Sequence, residues 1–174
     1  FWETGVTLED ESIYNYLQVK DDEDKTILST NVLFGVQSIK MKNQELTGLY
    51  YDYALAAPVM AGMNTKDDNS VMILGLGSGT YATYCDEYFP GTKIQGAEID
   101  EKIARIATEY FDMPSSVDVA VEDGRAYLTA SEELYDVILV DAYQDITIPF
   151  QMSSLEFFTQ VKEHLKDNGV MVVN

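Results

Sequence analysis

Carboxylates and glycines recur at regular intervals along the second half of the chain. Gly75-Leu76-Gly77-Ser78-Gly79 follows directly on the apolar run Val71–Leu74. Glycines between a strand and a helix let backbone approach a ligand where a side chain would clash, and the helix start offers unpaired N–H groups. Glu98 comes about twenty residues further on, the separation at which a strand-end carboxylate grips ribose hydroxyls. Glutamate there accepts two hydroxyl hydrogen bonds and repels a 2′-phosphate; the plain alternative is a solvent-facing acid. Asp123-Gly124 follows a third short apolar run and offers an acceptor to an adenine amino group. Asp141 ends a fourth run, Tyr135–Val140. Gly75, Glu98, Asp123 and Asp141 thus mark the carboxyl ends of four consecutive strands, the edge at which open α/β sheets bind ligands. Thr80 leaves the dinucleotide pattern Gly-x-Gly-x-x-Gly incomplete. There is also no P-loop and no basic cluster, so the series fits a nucleoside without a pyrophosphate.

Composition narrows the field. The chain has 174 residues, 46% of them hydrophobic, which suits one domain with a small appendage and excludes disorder. Thirty acids against 11 bases give a net charge of −19. Such a chain repels nucleic-acid phosphates and attracts small cations, although surface acids also serve solubility. Cys85 is the single cysteine and His164 the single histidine, so an internal disulfide, a cysteine zinc site and a histidine-based metal site are not expected. Cys85 reads as structural and His164 as a surface or dipole-complementing residue near a helix end. No run reaches membrane-spanning length and no signal peptide is visible. The opening Phe1-Trp2-Glu3 and the closing Val173-Asn174 read as a piece of a longer protein.

The elements that must hold these residues follow from periodicity. Strands are predicted over 13–20, 26–29 and 36–39, with Asp21-Asp22-Glu23-Asp24 as a charged turn, forming a small antiparallel sheet. A helix is predicted from Tyr50 to Met60, bent around Pro58, with a polar linker over 64–70. Strict β-α alternation follows, the mark of a parallel sheet covered by helices. Its strands are 71–74, 93–97, 117–121, 135–140 and 170–173. Asp100 should cap the second helix of this half, with Ile103, Ile106, Ala107, Tyr110 and Phe111 inward. Ser153 or Ser154 should start the last helix, with Leu155, Phe158, Val161 and Leu165 inward and Asn168-Gly169 closing it. The expected division is a β-strand region over 1–48 and a nucleoside-binding domain over 49–174, its sheet incomplete after strand five.

From about Ser12 to Asn174 the chain resembles the spermidine synthase (polyamine aminopropyltransferase) family. The likeness rests on Tyr14-Asn15, Gly35-Val36-Gln37, Tyr50-Tyr51-Asp52 before Pro58, the glycine turn, Glu98-Ile99-Asp100, Glu122-Asp123-Gly124 and Asp141-Ala142-Tyr143-Gln144. It implies an α/β fold: a Rossmann-like sheet of the S-adenosylmethionine-methyltransferase type with a small N-terminal antiparallel β-domain. It also implies decarboxylated S-adenosylmethionine, or S-adenosylmethionine, as cofactor, with no metal. The implied cofactor-binding residues are Asn15, Tyr51, Gly75, Gly77, Ser78, Gly79, Glu98, Asp123 and Gly124. Tyr50 and Asp141 would be catalytic, with Asp141 as proton acceptor, while Gln37, Gln144 and Asp145 would bind the amine. A primary amine has a pKa of roughly 10 and arrives as an ammonium that cannot attack until a proton leaves. A small cationic amine is the implied partner, with no nucleic acid and no membrane contact within this chain. A homodimer and a cytoplasmic location are implied too, or a soluble domain of a larger membrane-attached protein. Three positions depart from the family pattern. Ser78 stands where the family places an ammonium-binding aspartate. Tyr51 replaces a glutamine, and Gln144 replaces a second aspartate, with Asp145 next to it. Three functions therefore stand open: an aminopropyltransferase, an S-adenosylmethionine-dependent methyltransferase, and a non-catalytic cofactor-binding module.

Overall fold

A computed structural model describes residues 4–31, 35–44, 46–141 and 149–174. The first sheet is an antiparallel meander of β1 (Leu8–Glu11), β2 (Tyr16–Asp21), β3 (Lys25–Thr30) and β4 (Ser38–Met41), in that spatial order. The acidic turn between β2 and β3 closes on itself: Asp22 Oδ1 accepts from the backbone N–H of Asp24 at 2.8 Å and of Lys25 at 2.9 Å. β2 starts three residues later than its periodicity predicts. Residues 12–15 fold into a turn instead, with Ser12 N donating to the Asn15 carbonyl at 2.8 Å.

The predicted helix over 50–60 divides into α1 (Tyr50–Ala54) and α2 (Ala56–Met60). The break falls at Leu55, three residues before Pro58. Proline clashes with the carbonyl four residues upstream, here that of Ala54, and has no N–H to give; both faults vanish once Pro58 sits in the first turn of a new helix.

The second sheet is wholly parallel. It comprises β5 (Ser70–Leu74), β6 (Lys93–Ala97), β7 (Asp118–Ala120), β8 (Tyr135–Val140) and β9 (Leu165–Val173), in the order β7-β6-β5-β8-β9. β5 and β8 are buried along their whole length because helices cover both faces, which is why they read as unbroken apolar runs. The pleat sends Val71 and Ile73 to one face with Tyr51, Ala54, Tyr81 and Cys85, and Met72 and Leu74 to the other with Leu128, Phe157 and Val161. The covering helices are α3 (Thr80–Tyr88), α4 (Glu101–Tyr110), α5 (Gly124–Ala130) and α6 (Leu155–Glu163). Burial pushes the Cys85 thiol up to about 12, so it packs as an apolar residue. A third cluster joins the sheets: Leu17, Val19 and Leu28 pack on Ile103, Ile106 and Phe111. Asp100 caps α4 as expected, accepting from Lys102 N at 3.0 Å.

The last helix differs from expectation. Ser154 is its cap, so Phe157 and Val161, four apart, face the core at 0% exposure, while Leu155 is 78% and Phe158 40% exposed. The stripe read from 155 and 158 lies on the wrong side. α6 also ends at Glu163, before Asn168-Gly169, because Tyr135 N takes the His164 carbonyl at 2.8 Å and Leu165 already pairs with Tyr135. Both ring nitrogens of His164 lie against carbonyl oxygens, of Gln160 at 2.8 Å and Ser131 at 3.1 Å.

Candidate active site

A cavity of about 170 Å³ opens at the carboxyl ends of β5, β6 and β8, roofed by residues of the first sheet. Its floor is the glycine turn. Gly75, Gly77 and Gly79 have φ of 90°, 56° and 79°, left-handed values that favour glycine. The turn is held down by the N–H groups of Gly75 and Leu76, which both donate to the Ala97 carbonyl at 3.0 Å. A Cβ on Gly77 would come within 3.3 Å of Ser38 Oγ, and one on Gly79 within 2.5 Å of Met113 Sδ, so the turn is packed on both sides.

Glu98 projects from the end of β6 into this cavity and is 8% exposed. Its Oε2 accepts from Gly77 N at 2.8 Å and its Oε1 from Asp100 N at 3.0 Å. Burial raises its pKa, with these backbone bonds opposing. One lone pair of each oxygen is thereby used for orientation; a carboxylate has about four acceptor sites, which leaves two for hydroxyls. Asp123 and Gly124 line the cavity where α5 begins. Asp123 also caps that helix, its Oδ1 accepting from Ala126 N at 2.9 Å. A Cβ on Gly124 would press on Leu74 Cβ at 3.3 Å.

At the far end Asp141 follows β8. Its Oδ2 accepts a hydrogen bond from the Tyr50 hydroxyl and its Oδ1 accepts from Asn174 Nδ2 at 2.8 Å. Burial raises the Asp141 pKa, and the two hydrogen bonds pull against that rise. Burial, and after it the neighbouring Tyr51 and Asp141, push the Tyr50 hydroxyl far above the ordinary tyrosine range, so it stays a donor. The rings of Tyr50 and Tyr51 lie 4.0 Å apart. The Tyr51 hydroxyl donates to the Gln37 carbonyl at 3.1 Å, and Tyr51 and Gln37 both line the cavity.

Asn15 lines the cavity as well, with its amide engaged at both ends. Nδ2 donates to Asp100 Oδ2 at 3.0 Å and Oδ1 accepts from Asn31 Nδ2 at 2.9 Å. Gly79 is not part of the cavity wall, and neither is Ser78. Ser78 is 1% exposed, its hydroxyl lies 3.1 Å from Thr80 Oγ1, and its N–H faces Ser38 Oγ at 3.4 Å. Ser38 and Thr80 supply hydroxyls to the wall instead. Gln144 and Asp145 lie outside the described residues.

Ser38, Thr80, Gln151 and Asn174 join the site without having been expected. None of them carried a signal in the sequence, and Asn174 meets Asp141 only through strand pairing. Val140 and Val173 are in register, so the residues that end these two neighbouring strands must meet. The wall carries three carboxylates, Glu98, Asp123 and Asp141, and among the described residues no lysine, arginine or histidine. Such a cavity suits a cationic or neutral ligand and disfavours phosphates.

Residues 53–174 match the spermine/spermidine synthase domain. The chain belongs to that family. Among the relatives of this spermine/spermidine synthase domain is a probable polyamine aminopropyl transferase of Bifidobacterium longum (strain NCC 2705), 63% identical over the whole chain. A polyamine aminopropyltransferase of Vibrio vulnificus (strain CMCP6) is 28% identical over 95% of it. The chain spans 38% and 58% of the lengths of these two proteins. In fold it is similar to the crystal structure of a probable spermidine synthase from Corynebacterium glutamicum ATCC 13032. The TM-score is 0.83 at 23% identity, over 98% of this chain and 64% of that one. The antiparallel sheet followed by a parallel five-stranded sheet is thus the architecture of the spermidine synthases. Among the described residues no helix is long and apolar enough to cross a membrane.

Proposed function

We propose that this domain is the nucleoside-binding and catalytic part of an aminopropyltransferase. It would move the aminopropyl group of decarboxylated S-adenosylmethionine to a small amine such as putrescine. The observation that carries the reading is the acidic cavity at the strand ends, with Glu98, Asp123 and Asp141 in its wall and no basic side chain among the described residues. A sulfonium nucleoside and an ammonium acceptor are both cations without phosphate, and both fit such a wall. Family membership and the relatives' names support the same reading.

In this proposal Glu98 accepts from the ribose hydroxyls, and Asp123 with Gly124 contacts the adenine. Gly75 and Gly77 give the nucleoside room and Gly79 lets the turn pass Met113, while Asn15 and Tyr51 bound its pocket. Ser78, buried against Thr80, supports the turn without touching the tail of the donor. Gln37 belongs to the acceptor side, together with Gln144 and Asp145. Asp141 takes the proton of the incoming ammonium while Tyr50 holds that carboxylate in place. The freed nitrogen then forms a C–N bond at the carbon whose C–S bond breaks, and neutral methylthioadenosine leaves. No group on the protein is covalently altered. The division into a β-region over 1–48 and a nucleoside-binding domain over 49–174 is part of this proposal. A cytoplasmic location and a homodimer belong to it as well and rest on the family alone.

The test is calorimetry and turnover on the full-length protein. Decarboxylated S-adenosylmethionine should bind more tightly than S-adenosylmethionine, and with putrescine it should yield methylthioadenosine. The reverse order of affinity would sink aminopropyl transfer. Asp141→Asn should abolish turnover while leaving nucleoside affinity within about threefold, because the loss belongs to proton transfer and not to binding.

A further inference from the structure

The polar junction between the two sheets lies beside the carboxylate that faces the ribose position. Asp100 is 1% exposed, and both of its side-chain oxygens are used. Oδ1 caps α4. Oδ2 accepts from Ser12 Oγ at 2.5 Å and from Asn15 Nδ2 at 3.0 Å. Ser12 Oγ in turn accepts from the N–H groups of Tyr14 at 3.1 Å and Asn15 at 2.9 Å. The turn between β1 and β2 is therefore closed on itself and fastened to Asp100. Lys102 adds a second tie from α4, donating to Asp10 Oδ1 at 2.6 Å and to the Glu11 carbonyl at 2.7 Å. The peptide of Asp100 completes the link, its N–H donating to Glu98 Oε1. Tyr14, Asn15, Glu98 and Ile99 form one stretch of the cavity wall.

We infer that Asp100 is a positioning residue for the nucleoside site. Its carboxylate fastens the Ser12–Asn15 turn over the cavity while its own N–H aims Glu98. The inference rests on reading the cavity as a nucleoside site. One residue thus couples the small sheet to the parallel sheet at the point where both meet the ligand. A buried acceptor shared by two side-chain donors cannot be removed without leaving those donors unpaired or letting the turn lift.

An asparagine at position 100 separates this role from helix capping. Asparagine caps a helix as well as aspartate does, so the bond to Lys102 N survives. Its amide NH₂, however, then faces the NH₂ of Asn15. The reciprocal change Asn15→Asp, made alone, sets two carboxylates against each other. Made together, D100N/N15D restores one donor opposite one acceptor between positions 100 and 15. The new carboxylate still accepts from Asn31 Nδ2, and the Ser12 hydroxyl keeps the backbone carbonyl of residue 15, 3.3 Å away, as its acceptor.

The experiment titrates methylthioadenosine into the full-length protein by calorimetry and follows the melting temperature alongside. Each single variant should bind roughly tenfold more weakly, the cost of one mismatched buried hydrogen bond. Asn15 itself lines the cavity, so the pair is compared with Asn15→Asp, which carries the same change in the wall. The pair should bind at least about threefold more tightly than that single variant, whether or not its melting temperature recovers. Single variants with wild-type affinity, or a pair no better than Asn15→Asp, overturn the positioning role. Amide exchange at Tyr14 and Asn15 in the ligand-free protein reports the clamp by itself. Faster exchange in each single variant and recovery in the pair is the expected result, and unaltered exchange overturns the proposal. If the wild-type protein binds no methylthioadenosine while exchange behaves as expected, the nucleoside reading fails. The clamp is then a structural tie alone, which overturns the positioning role in a way the exchange data distinguish.

Discussion

Asp141 is surrounded by groups that pull its acidity in opposite directions. Burial at the end of β8 raises its pKa above the ordinary value of about 3.9, and the hydrogen bonds from Tyr50 and Asn174 lower it. In the proposed reaction the carboxylate must be unprotonated to accept the ammonium proton, so turnover should fall as pH drops through this raised value. The acid limb of kcat is then set by the balance. Tyr50→Phe removes a bond that favours the ionised form and should move that limb to higher pH. A limb that stays put or moves to lower pH would count against Asp141 as the base. The same shift has a sign for stability. A carboxyl whose folded pKa is raised contributes stability at pH below its unfolded value and loses it as pH rises through the folded one. The site carboxylates Glu98 and Asp141 are both of this kind, so the ionised cavity is held together at some cost to the fold.

The elements show the opposite arrangement at the other edge of the parallel sheet. Asp136, near the start of β8, is 1% exposed. It accepts from Ser70 N at 2.8 Å and from Lys166 Nζ at 2.9 Å, and also from Lys66 Nζ. Burial opposes its ionisation, but the bonds from Lys66, Lys166 and Ser70 prevail and its pKa is lowered. This carboxylate ties β5, β8 and β9 together. Asp136→Asn should cost about 1–3 kcal/mol at neutral pH, less than a fully buried pair because both lysines retain contact with water. The linkage runs in the ordinary acid direction. The contribution is present above the unfolded value of about 3.9 and is lost as pH falls through the lowered folded value. Urea unfolding at neutral and strongly acidic pH should therefore show the gap between wild type and variant narrowing in acid; a constant gap would refute the role assigned to the charge.

For the whole molecule the dominant quantity is a net charge of −19. Eleven bases are few, and several are already paired, such as Lys93 with Glu133 and Lys102 with Asp10. The field outside the cavity is therefore negative and draws in cations. Screening acts over about 8–10 Å at physiological salt, so ionic strength should weaken capture of the charged acceptor and leave neutral methylthioadenosine unaffected. In the proposed reaction, raising salt from about 0.05 to 0.5 M should increase KM for putrescine severalfold with kcat little changed. An unchanged KM would show that long-range charge takes no part in capture.

Much of this was legible in the sequence because the signals are local. The apolar runs that became β5 and β8, the glycines that take left-handed φ, and the cap at Asp100 each depend on a few neighbouring residues. So does the regular spacing that brings Gly75, Glu98, Asp123 and Asp141 to one sheet edge, since parallel β-α units repeat with one handedness. Other features turned on distant partners, and only the tertiary structure decided them. The buried face of α6 depends on where Ser154 starts the helix against the sheet. The end of that helix depends on Tyr135, and the side chain of Ser78 turns away from the cavity because β4 packs on the glycine turn. Asn174 meets Asp141 through strand register, and Asn15 is held by Asp100 across 85 positions of sequence. Sequence periodicity carries no information about such pairings, because their energy exists only once both sheets are assembled.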